Sequence, residues 1–139
     1  MNRRTATLSI AVVSVIFALI ALLLLRRLPD LGVADVIGAP VDSGFHYFVD
    51  PGHPPYRIRD YVCPSSSAKS VNDALRLKFT AARGWTETQV STSTHWENAR
   101  LRSHVNVNGK AYFGLDGCEV SEQTDMGYLD YFIGRIRGR

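Results

Sequence analysis

The sequence predicts an α+β fold, with an N-terminal transmembrane helix followed by a small antiparallel-sheet domain covered by one or two helices. Three observations carry this reading. An uncharged apolar run occupies residues 5–25, short alternating segments punctuated by Pro, Gly and Asn fill the middle, and helical stripes recur around 71–82 and 126–136.

The apolar run reads TATLSIAVVSVIFALIALLLL. At about 1.5 Å per residue, such a helix matches the roughly 30 Å hydrocarbon thickness of a bilayer. Its few hydroxyl residues can bond back to their own helix, so they do not oppose insertion. A cleaved signal peptide is the competing reading, with Arg3 and Arg4 as a charged start and Gly32-Val33-Ala34 as a small-residue cleavage site. Two features oppose it: the apolar stretch is longer than a signal peptide needs, and Arg26 and Arg27 separate it from that site.

Charge excludes one class of partner. The chain has 16 basic and 13 acidic residues, a net charge of +3. Arg3, Arg4, Arg26 and Arg27 flank the apolar run, whereas every acidic residue follows it, leaving the remainder close to neutral. The high isoelectric point thus reflects arginines at lipid head-group level, and nucleic acid is not an expected partner. The expected partners are the lipid bilayer, through residues 5–25, and a membrane protein.

Orientation cannot be read from charge, since two arginines stand on each side of the run. The cysteines favour one answer. Cys63 and Cys118 are the only two, both lie in the domain, and an even pair in a small exported domain suggests a disulfide. The expectation is a single-pass protein with its N-terminus in the cytoplasm and its C-terminal domain outside.

Residues 26–44 lack a sustained period and read as a juxtamembrane linker whose apolar residues can dock on the domain at 45–139. Residues 45–49 (FHYFV) suggest a strand, ended by the turn-forming DPGHPP. Residues 56–62 (YRIRDYV) alternate, with Tyr56 and Ile58 on one face and Arg57 and Arg59 on the other. Val71, Leu75, Phe79 and Ala82 then follow helical spacing, capped by Ser70 or one of Ser65, Ser66 and Ser67, with Gly84 as the stop.

Residues 85–94 favour a strand, and His95-Trp96-Glu97-Asn98 is expected to turn it. Asn106-Val107-Asn108-Gly109 suits a type I turn with a glycine bulge, pairing Asn106 with Lys110. That register places Leu101, Ser103, Val105, Ala111, Phe113 and Leu115 on a buried face. Arg102, His104, Asn106, Lys110 and Tyr112 then form a basic, polar one. Met126, Leu129, Phe132, Ile133 and Ile136 make the stripe of a final helix, with Arg135, Arg137 and Arg139 in its last turns.

Candidate sites are few. Paired, Cys63 and Cys118 close a loop of about 55 residues, to which the chain-entropy argument assigns roughly 4 kcal/mol. Alternatively Cys63, ahead of a helix, could act as a nucleophile with a histidine as base, although no signature joins it to one. His46 and His53 flank Asp50, and His95 and His104 form a second pair, but neither has metal-ligand spacing, so no metal or cofactor is expected. Arg100, Arg102, His104, Lys110 and Tyr112 form the best candidate interaction face, suited to anionic head groups or an acidic partner. The C-terminal helix could lie at the membrane interface or cover the sheet. These features point to a non-enzymatic accessory, assembly or interaction module at the extracytoplasmic membrane surface. The alternative is a small extracytoplasmic enzyme or a metal- or ligand-binding domain built on Cys63 or the histidines.

Overall fold

A computed structural model describes residues 3–25, 30–37, 44–112 and 114–137. Helix α1 (Arg3–Leu25) is followed by the short helix α2 (Val33–Ile37). Strands β1 (His46–Phe48) and β2 (Tyr56–Cys63) come next, then helix α3 (Ala68–Lys78). Strands β3 (Thr86–Val90), β4 (Ser93–Asn98), β5 (Ser103–Tyr112) and β6 (Leu115–Asp125) lead to helix α4 (Tyr128–Arg137). Among the described residues six strands form one antiparallel sheet of order β1-β2-β6-β5-β4-β3, so the domain is α+β.

The late strand β6 inserts between β2 and β5, while α3 carries the chain from β2 toward β3 at the far edge. One sheet face is buried. Val71 and Leu75 of α3 and Phe79, which caps its C-terminus, pack there with Val105 and Val107 of β5 and Val120 of β6. Phe79 stacks on Trp85 at 4.0 Å between ring centroids and meets Trp96 edge-on at 5.8 Å. The polar groups buried beneath α3 at Asn72 and Trp96 are paired, as burial demands. Asn72 donates to Thr94 Oγ1 at 2.8 Å and accepts from Trp96 Nε1 at 3.2 Å.

Ser67 caps α3, its hydroxyl accepting from Ser70 N at 3.2 Å. The helix ends at Lys78, six residues before the glycine expected to stop it. Gly84 instead closes a 3-10 turn at Ala81–Arg83, with φ 82°. Ala82 is consequently exposed rather than part of the core stripe. The segment expected to be a linker is partly docked, because Leu31 and Val33 are buried in the core and Val33 begins a helix. Lys78 Nζ donates to Gly32 O at 2.7 Å and pairs with Asp35 at 3.1 Å, which ties that segment to α3.

The expected hairpin at 106–109 is corrected. Strand β5 runs straight through it, with Asn106 opposite Ser121, Lys110 opposite Gly117 and Tyr112 opposite Leu115, and Gly114, at φ 81°, lies in the reversal between β5 and β6. A bulge would strand Val107 in a loop. The extended course puts it beside Val105 in the core, fully buried, a gain of about 1.5–3 kcal/mol that exceeds a local turn preference. His95-Trp96-Glu97-Asn98 likewise lies within β4. Turns occur instead at Ser91, with φ 56°, and at 99–102, where Asn98 Oδ1 accepts from Leu101 N at 3.1 Å.

Helix α4 does not lay its apolar stripe on the sheet. Tyr131 and Gly134 face the domain, whereas Leu129, Phe132 and Ile136 are exposed. Gly134 permits this orientation, since a Cβ there would lie 2.2 Å from Cε1 of Tyr47, whose ring meets Tyr131 edge-on at 6.4 Å. Gly134→Ala is therefore expected to lower stability by about 1–3 kcal/mol through overpacking. In denaturant unfolding of the full chain in detergent, combining it with Tyr47→Ala should cost less than the two single effects added together.

Candidate functional site

Strand β2 alternates in the sense opposite to the one its first residues suggest. Arg57, Arg59, Tyr61 and Cys63 point toward the covered face, while Tyr56 and Ile58 are only half-buried on the other. The deciding positions lie further along, where Tyr61 and Cys63 need the core. Two arginines are thereby drawn inside.

Their partner is Glu122, opposite Arg59 on β6 and only 1% exposed. Arg59 Nε stands 3.8 Å from Glu122 Oε1, and among the described residues neither carboxylate oxygen has a hydrogen-bond partner. Phe45 lies over both guanidinium groups, at 4.0 Å from Arg57 and 3.7 Å from Arg59, a stacking geometry suited to planar cations. Burial pushes the Glu122 carboxyl above the usual carboxylate range, opposed by Tyr61 and the two arginines. The same burial lowers Arg57 from its ordinary value, against the pull of Tyr47 and Glu122. Sequence reading missed this cluster because Glu122 looks like a surface residue. The available signal was the alternation of Cys118, Val120, Glu122 and Thr124.

Cys63 and Cys118 are directly opposed across β2 and β6, as two buried thiols. Directly opposed antiparallel residues have Cα atoms about 4.5–5.5 Å apart, inside the roughly 4.4–6.8 Å window of disulfides. Burial raises the Cys63 thiol from its ordinary value and pushes Cys118 up to about 12. Neither environment favours the thiolate that a nucleophile needs.

The basic interaction face is not assembled as expected. Arg100 and Arg102 sit in the β4–β5 turn, with Arg102 at φ 52°, whereas His104 and Lys110 lie on the uncovered sheet face. The side chain of Tyr112 lies outside the described residues, as does Arg139. Acidic neighbours interrupt the basic character, for Lys110 pairs with Glu119 and His104 is opposite Glu97. The face is mixed in charge because β6, absent from the sequence reading beyond 118, brings Glu119 and Asp125 onto it.

Of the histidines, His95 and His104 are neighbours, with ring centroids 5.5 Å apart, and His95 Nδ1 is 2.6 Å from Asn106 Oδ1. His53 and His104 line a surface pocket of about 360 Å³ with Asp50, Tyr56, Gln123 and Asp125. The Tyr56 hydroxyl donates to Asp50 there. Burial and His95 lower His104 from its ordinary value, opposed by Asp125, Gln123 and Glu97. His46 lies on β1, opposite Ile58. Among the described residues no three His, Cys, Asp or Glu side chains are grouped to hold a metal ion.

The remaining unusual surfaces are apolar. The described side chains of α1, at 12–22 and Leu25, are all exposed, and on α4 so are Tyr128, Leu129, Phe132 and Ile136. Among the described residues no helix is long and apolar enough to cross a membrane. Compared with protein-family models, curated proteins and solved structures, the chain matches none.

The raised Glu122 carboxyl has a definite linkage sign. The folded state holds that proton more tightly than the unfolded state, so its contribution to stability is fully present below the ordinary carboxylate value of 4.5. That contribution is lost as pH rises through the higher folded value. Melting temperatures of the wild-type chain and Glu122→Gln, followed upward from pH 4.5, should show this decline in the wild type and not in the variant, so that the difference between the two curves carries it.

Proposed function

We propose that this chain is a single-pass, membrane-anchored accessory or assembly module, held in the bilayer by residues 5–25, with its α+β domain presented on the extracytoplasmic side to a membrane-protein partner. It works by binding rather than by catalysis. The observation that supports the anchor is on α1. Residues 12–20 carry no charge and are exposed at every position, and successive helical residues project about 100° apart, so they face all directions. A helix that is apolar all round has a favourable environment in lipid, where its backbone groups are already satisfied within the helix.

The cysteine geometry supports the outward placement of the domain. In an oxidising compartment the opposed pair can close without moving β2 or β6 apart. The resulting cross-link would restrain a loop of about 55 residues in the unfolded chain. The same thiols weigh against a catalytic Cys63, because burial disfavours its ionised form.

The anchor is tested by alkaline carbonate extraction of membranes containing the full chain. The wild type is expected in the membrane pellet. Ile16→Arg combined with Leu19→Arg is expected in the supernatant, since each arginine at the centre of a span costs about 2.5–3.5 kcal/mol on insertion scales. Extraction of the wild type would remove the anchor from the account.

A further inference from the structure

Helix α4 divides into two sides. At about 100° per residue, Leu129, Phe132 and Ile136 fall within one narrow sector, roughly opposite the sector of Tyr131 and Gly134 that packs on the domain. Phe132 is 59% exposed and Ile136 70%, which is unusual for large apolar residues sharing a face on a small domain. Arg135 lies to one side of this stripe and Arg137 to the other, the latter on the same flank as Asp130. Arg135 is held in place by donating to the Tyr131 hydroxyl at 3.0 Å. Tyr131, Phe132, Arg135 and Ile136 border a shallow groove of about 450 Å³.

Apolar residues facing outward between cations are the pattern of a helix lying in a membrane interface, with its apolar side among acyl chains and its arginines at the phosphate level. Flanking cations complement an anionic surface, and a chain tethered through residues 5–25 holds this stripe beside a lipid one. We infer that α4 is a second membrane contact, lying flat on the anionic lipid surface and so fixing the orientation of the domain against the bilayer. This inference rests on the proposed anchor, which keeps α4 near the membrane at high effective concentration. The anchor prevents escape, and α4 prevents tumbling.

The experiment uses the full chain reconstituted in phosphatidylcholine vesicles, with and without phosphatidylglycerol. Phe132→Trp places an indole in the stripe. The native Trp85 and Trp96 are buried and supply the background measured in the unsubstituted chain. The added fluorescence should be quenched at least twofold by lipids brominated on their acyl chains, and only weakly by aqueous iodide. In the variant that also carries Arg135→Glu and Arg137→Glu, the bromolipid quenching should fall to background, and circular dichroism establishes that the fold persists. Quenching by iodide but not by bromolipid overturns the inference, leaving α4 in water. Protection from both quenchers also overturns it, and shows the stripe covered by protein, such as a second copy of this chain. An alkaline wash of the same vesicles separates the two readings. Chain retained by the wash without bromolipid quenching keeps the anchor and rejects the α4 contact, whereas chain released after having shown quenching rejects the anchor alone.

Discussion

The placement of β6 is the constraint on which the rest of the domain depends. It pairs along eight residues with β2 and along ten with β5, so it supplies the middle of the sheet although it is the last strand made. Its inward residues, Cys118, Val120, Glu122 and Thr124, are all nearly inaccessible to solvent. Each one anchors a different feature: the opposed thiol of Cys63, the apolar layer beneath α3, the arginine pair, and the hydroxyl of Ser103 at 3.0 Å. Without β6, the β1–β2 and β3–β5 halves have no shared edge. Native contacts of such long sequence separation slow folding and make it cooperative, because neither half can bury its inward face alone.

The covered face has two kinds of interior. Beneath α3 it is apolar and aromatic, with its few polar groups paired. Toward β1 it becomes charged, and Phe45 lies across Arg57 and Arg59 where the first half has aliphatic cover. Burying Glu122 among cations does little for stability in itself, since desolvation offsets the attraction, although removing one member would leave an uncompensated charge. Such a cluster does penalise a one-residue slip of β2 against β6, which would put Arg57 and Arg59 in water and Glu122 among apolar groups.

What could be read from the sequence depended on how far each signal was local. The stripe of Val71, Leu75 and Phe79 was legible because its periodicity runs through α3 to its C-cap. Strand β2 was legible as a strand, but its first four residues gave the wrong inward face, because Tyr61 and Cys63, beyond them, decide it. The Asn-Val-Asn-Gly segment offered a strong turn signal that lost to strand pairing on both sides and to the burial of Val107. Beyond residue 118 the second half of β6 was not recognised, since glutamate, serine, glutamine and threonine resemble a surface loop until the arginines that receive Glu122 are known. The stripe on α4 was recognised as apolar, yet its direction depends on Gly134 fitting against Tyr47, a contact with no sequence signature. The thiols at 63 and 118 were named as a pair, and the register sets them face to face.

The account joins an apolar helix exposed on all sides, an opposed cysteine pair and a second outward apolar stripe into one arrangement relative to a bilayer. The proposed topology sets the domain outside the cytoplasm. Leu77 is 83% exposed on α3, so Leu77→Cys offers an accessible thiol while the two native cysteines stay buried. The most direct measurement is labelling of intact cells expressing this variant with a membrane-impermeant maleimide, compared with the unsubstituted chain and with cells whose membrane has been opened. The account predicts labelling of intact cells that opening does not increase. Labelling only after the membrane is opened would contradict it and place the domain in the cytoplasm.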